Sequence, residues 1–263
     1  VWVLVAACAA SAAAKKAAPK DKPAGPVTPG PKPKPTETVV PEGYRLLYAQ
    51  SFEKAESIAD FEFTSPEKWR WAAWDAEKKD GCLESLGAGK YRPKVRSPLV
   101  IALISGRVFE DFILEANLLQ TGREYGHRDM CLFFGFTTPG QYYYVHMATK
   151  ADKNAHNVFI VNDKPRTNIA TKTTKGIDWG KAKWHKVRLE RKASDGSIRV
   201  FFDDMATPIM EASDKTFPTG CIGFGSFDDV GMIDDVRIWG PKVVQKKTSF
   251  FGQKAGQARS LAP

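Results

Sequence analysis

The sequence predicts an all-β fold of antiparallel strands forming a sandwich or barrel, and three observations predict it. Short apolar runs recur between Tyr44 and Trp239, each cut by Gly, Pro, Asn or Asp. Several of them alternate with period two, which puts their apolar side chains on one face of a strand. No long helical pattern interrupts them, which argues against the alternating strand–helix order of an α/β enzyme. Runs this closely spaced are joined by short antiparallel connections.

In chain order, Tyr44–Phe52 is the first strand. Trp69 and Trp71 then share a strand face at period two, with Trp74 beside them, and read as core, the alternative being an aromatic platform for a sugar. In Phe112-Ile-Leu-Glu-Ala-Asn-Leu118, Phe112, Leu114, Ala116 and Leu118 fall on one face. Further strands are expected at 130–136, 141–147, 157–162, 185–191, 197–202, 207–212, 220–226 and 234–239. One hairpin is especially legible. Trp184–Arg191 meets Ser197–Phe202 across Lys192-Ala-Ser-Asp-Gly196, where Asp-Gly supplies the positive φ of a tight connection. Trp179 and Trp184 pin its start, and Asp203-Asp204 turns the chain onward.

These residues carry a resemblance. The pattern Trp184-His185-x-Val187-x-Leu189, Gly196-x-Ile198-x-Val200-Phe201-Phe202-Asp203, Gly220-x-Ile222-Gly223-Phe224-Gly225 and Ile233-Asp234-Asp235-Val236-Arg237-Ile238 resembles the C-terminal half of LamG-like domains. Those belong to the concanavalin A-like lectin/glucanase superfamily. The pattern is also similar to the bacterial domain family named for 3-keto-disaccharide hydrolases. The resemblance covers residues 44–240 and implies a two-sheet antiparallel jelly-roll sandwich, with sugar chemistry on or around the concave sheet. It does not imply catalysis, because the fold hosts lectins, binding modules, hydrolases and lyases alike.

The chain's net charge of +9 belongs to its ends. Residues 15–40 hold six Lys against Asp21 and Glu37, and residues 242–263 hold five basic residues and no acid. The body, 41–241, is neutral, so no specific nucleic-acid partner is expected. Residues 1–14, Val-Trp-Val-Leu-Val-Ala-Ala-Cys-Ala-Ala-Ser-Ala-Ala-Ala, resemble the end of a signal peptide or a lipobox. Export to the periplasm, cell surface or medium follows, with membrane attachment only through a lipid anchor at Cys8. Residues 15–40 read as a Pro/Lys-rich tether, because seven Pro in 15–36 favour an extended spacer without a core. Residues 242–263 read as a basic tail. Cys82, Cys131 and Cys221 are an odd number, so they form no self-contained disulfide framework, though one bridge among them stays open.

The densest polar constellation is Arg123-Glu-Tyr-Gly-His127-Arg128-Asp129, just ahead of two expected strands. On the second of these, Tyr142, Tyr144 and His146 share one face, and Tyr143, Val145 and Met147 the other. His156 and Asn157 open the next strand, and Arg166 follows in a loop. Adjacent strands would gather Arg123, His127, Arg128, Tyr142, Tyr144, His146, His156, Asn157 and Arg166 into a ligand surface. Aromatic faces stack on sugar rings, and His, Arg and Tyr hydrogen-bond hydroxyls or carboxylates. The plainer alternative is that the rings are half-buried sheet residues and the charged loop is solvated.

The expected activity is therefore carbohydrate binding, with an oligo- or polysaccharide as partner. A carbohydrate-active enzyme on the same face is one alternative, and a structural or protein-binding module is another. A glycosidase needs two carboxylates on one strand face, and no Glu-x-Asp-x-x-Glu run is present. A polysaccharide lyase needs a base and a carboxylate-neutralising group, types that Tyr144, His146, Arg128 and Asn157 supply. The jelly-roll alginate lyases' Tyr-x-Lys-x-Gly-x-Tyr strand is absent. Asp228, Asp229, Asp234 and Asp235 are hard oxygen donors. The first and last strands of a jelly roll are neighbours, so Glu53, Asp234 and Asp235 form a candidate structural calcium site. The alternative is that these Asp cap turns. The four His show no zinc-type pairing, and neither a phosphate loop nor a serine nucleophile elbow occurs.

Overall fold

Alternating apolar residues zip into ladders that switch repeatedly between two sheets. The computed structural model describes residues 29–34, 37–75 and 80–251. Cys8, the export segment and residues 15–28 of the tether lie outside them. The strands begin with β1 (Arg45–Gln50), β2 (Phe61–Phe63), β3 (Trp69–Asp75), β4 (Asp80–Ser85), β5 (Val100–Ile104) and β6 (Arg107–Phe109). They continue with β7 (Phe112–Gln120), β8 (Asp129–Thr138), β9 (Gln141–Ala148), β10 (Asn157–Asn162), β11 (Thr167–Asn168) and β12 (Ala170–Thr173). The last are β13 (Trp184–Arg191), β14 (Ser197–Phe202), β15 (Met210–Ser213), β16 (Cys221–Ser226), β17 (Gly231–Gly240) and β18 (Val243–Gln245). Among the described residues no helix is long and apolar enough to cross a membrane.

One sheet runs β12-β15-β14-β13-β7-β17-β4-β3, with β1 also on β17. The other runs β11-β10-β9-β8-β16-β5-β2. The pairings are antiparallel, and the architecture is an all-β, two-sheet jelly-roll sandwich. The expected hairpin is present, with Val187 opposite Phe202 and Arg191 opposite Ile198. Gly196 takes φ +84° in its turn, and Asp203 takes φ +58° in the next. At Asp203 the carboxylate compensates for the left-handed backbone by bonding His185 Nδ1 at 2.8 Å.

The core lies between the sheets. Leu114, Ala116 and Leu118 of β7 face Leu132, Phe134, Tyr143, Val145 and Phe224 of the second sheet, all buried. The seven-stranded sheet also buries most of its outer face. Ile101, Leu103, Phe133, Phe136, Tyr142, Tyr144, Phe159 and Val161 form a second apolar layer there. Its cover comes from two segments without strand periodicity. One joins β4 to β5 and brings Val95 and Tyr91. The other is the chain after β18, whose Phe250 and Phe251 rings lie 5.2 and 5.9 Å from Phe136. Burying rings of this size on both faces is a large part of the apolar stabilisation.

Packing thus runs past both expected boundaries of the body. Residues 242–251 are bound by the β18–β6 pair and by Glu62, which accepts the Phe250 N–H at 2.5 Å. At the other end, residues 29–34 lie against the nine-stranded sheet. Trp69 is core as expected, and Trp71 donates to the Phe52 carbonyl at 2.6 Å. Cys82, Cys131 and Cys221 are buried free thiols, which closes the question of a bridge among them.

Candidate functional site

The β8–β9–β10 ladder sets the site. Cys131 pairs with His146, and His146 pairs with Asn157; one row along, Phe133 pairs with Tyr144 and Tyr144 with Phe159. Tyr142, Tyr144 and His146 do share the outer face. At the His146 end of that face, the start of β8, the end of β9 and the surrounding loops enclose a cavity of about 160 Å³. Arg96, Tyr125, His127, Asp129, His146, Asn154, Arg166, Phe227 and Asp228 line it.

Asp129 is the first residue of β8 and 1% exposed. Ser226 Oγ donates to its Oδ1 at 2.9 Å, while the Phe227 N–H and the Cys131 thiol donate to Oδ2, each at 3.0 Å. Asp229 stands beside it. Its Oδ2 accepts the Asp129 N–H at 3.0 Å and the Tyr125 hydroxyl at 2.7 Å. Burial, then repulsion from Asp229, holds the Asp129 carboxyl well above the ordinary carboxylate range, and burial raises Asp229 too.

His146 Nδ1 accepts the His156 N–H at 3.3 Å. This contact assigns the remaining ring proton to Nε2, which becomes a donor. Nε2 is 3.7 Å from Asp129 Oδ2, past hydrogen-bond reach. Burial, reinforced by Arg166, pushes the imidazole pKa down to about 3, so the ring is neutral at physiological pH. Arg166 reaches in from the β10–β11 turn. Its guanidinium lies 4.4 Å from the Phe227 ring and 4.9 Å from Phe159, and Nη1 donates to the Tyr144 hydroxyl at 2.9 Å. Arg96 approaches Phe227 at 5.4 Å. The cavity therefore sets donors (His146, Arg166, Arg96) against carboxylate acceptors (Asp129, Asp228) over an aromatic ring.

Of the residues expected from sequence, His127, His146 and Arg166 line this cavity. Tyr144 stands behind Arg166, fully buried. Arg123 lies outside it, exposed, 5.1 Å from the Tyr125 ring. Four others do not line it: nearby groups hold the polar atoms of three, and Tyr142 shares the outer face but is packed into its apolar layer. Arg128 donates to the Gln120 carbonyl and side chain and to the Gly180 carbonyl. Tyr142 stacks under Phe136 at 4.7 Å. His156 bonds Thr174 Oγ1 at 2.9 Å and the Ala148 N–H at 3.3 Å. Asn157 donates to the Asp152 and Ala155 carbonyls. These four are structural, and the continuous polar-aromatic surface does not form.

The expected calcium ligands do not gather either. Glu53 is exposed in the loop after β1. Asp234 and Asp235 instead face the Lys32 ammonium, a cation the chain supplies itself. Among the described residues, the acidic group whose oxygens all lie within 4.8 Å of one another is Asp129, Asp228 and Asp229. Asp129 and Tyr125 went unassigned at the level of sequence. The available signal was an acid at period two with Cys131 and Phe133, since a carboxylate on such a face needs partners.

No family model matches the chain, and no curated protein matches it in sequence. Solved structures do resemble it in fold. A carbohydrate binding module, CBM66, from Bacillus subtilis is 16% identical, with 67% of this chain and 93% of that chain covered at a TM-score of 0.48. Lectin I-B4 from Griffonia simplicifolia, in a metal-free form, is 12% identical, with 73% and 99% covered at 0.48. Domain 4 of AbnA, an extracellular arabinanase from Geobacillus stearothermophilus solved with arabinotriose, is 10% identical, with 78% and 95% covered at 0.47.

Proposed function

We propose that the chain is an exported carbohydrate-binding jelly-roll domain whose sugar enters the cavity between His146, Arg166 and Asp228. The observation that carries this reading is the His146 Nε2–H. It is fixed as a donor, belongs to a residue that lines the cavity, and lies past hydrogen-bond reach of Asp129. A donor presented to a cavity bonds water or an acceptor of a ligand, and a sugar hydroxyl supplies such an acceptor. Sugar hydroxyls both accept and donate, which matches a cavity that mixes donors with carboxylates. At about 160 Å³ the cavity is far smaller than the clefts of several hundred Å³ that take drug-sized ligands, so it fits one terminal ring rather than the middle of a chain. Export, and a lipid anchor at Cys8, belong to the same proposal.

The test is titration of neutral and uronic-acid mono- and oligosaccharides, read by calorimetry, against the full chain and Arg166→Met. Saturable binding by at least one sugar, weakened about tenfold or more in the variant, supports the reading. Silence across the panel favours a structural or protein-binding role.

A second reading has its own observation. Asp129 and Asp228 bring carboxylate oxygens within 4.8 Å, and glycosidases that retain configuration use pairs about 5 Å apart. Burial raises the Asp129 carboxyl above the ordinary carboxylate range, the direction a general acid needs. Product analysis after prolonged incubation separates this hydrolase from a binding domain. A lyase is less favoured, because Tyr144 is fully buried and His146 Nε2 already carries a proton.

A further inference from the structure

The Pro/Lys-rich segment is not a free spacer along its whole length. The Gly30 N–H donates to the Ala182 carbonyl at 2.9 Å, and the Thr38 hydroxyl donates to Glu115 Oε2 at 2.8 Å. Between these points Lys32 leaves the arm and enters a nest on the outer face of the nine-stranded sheet. Its Nζ lies 2.7 Å from Asp80 Oδ1 and 3.7 Å from Asp235 Oδ2, and is in direct ion contact with Asp234 Oδ2. Two indole rings complete the surround, Trp74 at 4.9 Å and Trp184 at 5.9 Å, packed edge to face on each other.

Asp234 favours this arrangement. Its side chain is fully buried. Oδ1 accepts the Asp235 N–H at 2.6 Å, and Lys32 is the only partner of Oδ2 among the described residues. Removing the cation leaves a buried carboxylate oxygen with nothing to compensate it, which is strongly unfavourable. The chemistry of the walls also selects the cation. Indole faces attract an ammonium and tolerate its methylenes, but they offer no oxygen to a metal. Pro31 and Pro33 flank the lysine and stiffen the arm before it docks, so less freedom is lost on binding. Lys34, two residues on, is exposed and takes no part in the nest.

We propose that Asp80, Asp234, Asp235, Trp74 and Trp184 form a binding site for a primary alkylammonium, and that Lys32 occupies it to latch the arm onto the sheet. The arm is also one wall of a cleft of about 1100 Å³ against the start of β13, so the latch sets whether that cleft exists. Lysine is the ligand within the chain. A free alkylamine is its chemical equivalent once Lys32 is truncated.

The test is chemical rescue in the full chain. Lys32→Ala should lower the melting temperature by about 5 °C or more. It should also speed hydrogen exchange at the Gly30 amide at least tenfold, while Lys34→Ala changes neither. Millimolar n-butylammonium should restore the melting temperature of Lys32→Ala selectively, with sodium chloride of equal ionic strength and n-butanol inactive. If Lys32→Ala does not fold, Lys32→Ala/Asp234→Asn should, because the double variant no longer buries an unpaired charge. The proposal is overturned if Lys32→Ala matches the wild type in melting and exchange. It is equally overturned if salt rescues as well as the amine, or if the double variant is as unfolded as the single one.

Discussion

Truncating Arg166 to Ala should cost stability in a way that depends on a hydroxyl it touches. Two ring contacts disappear, at 4.4 and 4.9 Å, each worth about 0.5–1 kcal/mol at a partly exposed site. The Tyr144 hydroxyl also loses its donor at 2.9 Å, and a buried oxygen left without a partner costs about 1–3 kcal/mol. The expected loss is about 2–5 kcal/mol. Repeating the truncation in a Tyr144→Phe background removes the orphaned oxygen, so the loss should fall to the stacking part, about 1–2 kcal/mol. Urea unfolding measures both. With a slope near 2 kcal/mol per M, the single variant should shift the midpoint by about 1–2.5 M at unchanged slope. A loss below about 0.5 kcal/mol, or an equal loss in both backgrounds, would refute the reasoning, because Arg166 would then not be held by these groups.

Three further outcomes follow from the same structure. Asp129 and Asp229 are both raised in the folded state, so their contribution to stability is full below the unfolded carboxylate pKa near 4 and declines as pH rises toward the folded values. Asp129→Asn should flatten that decline in melting temperature between pH 4 and 8, and parallel curves would contradict the coupling. Gly225 has φ +157°, and an added Cβ would lie 1.9 Å from the Val100 carbonyl oxygen. Gly225→Ala should therefore destabilise by about 3 kcal/mol in denaturant unfolding, by forcing β16 off β5. Cys82, Cys131 and Cys221 are buried, with burial pushing Cys221 up to about 11 and raising the other two as well. All three should resist a thiol reagent until the protein is unfolded.

What sequence made legible was local. The 184–202 hairpin could be read to its ends because Asp-Gly sits between two alternating runs. The separation of Tyr142, Tyr144 and His146 from Tyr143, Val145 and Met147 followed from period two. Which face stays open did not follow, because its cover comes from distant segments without a strand pattern, around Val95 and at Phe250-Phe251. The site was half legible for the same reason. Arg128 and Asn157 look like ligand groups in sequence, but carbonyls of neighbouring loops hold them. Asp234 looked like a calcium ligand, yet its cation comes from Lys32, far away in the chain.

The central claim is that the His146 end of the seven-stranded sheet receives a sugar ring. Its most direct test is NMR observation of the four imidazole side chains during titration with terminal monosaccharides of the binding oligosaccharides. Saturable shifts are expected at His146 and His127, with little change at His185 and loss of these shifts in Arg166→Met. Saturable sugar binding that leaves His146 and His127 unmoved would contradict it, and would place the ligand elsewhere on the sandwich.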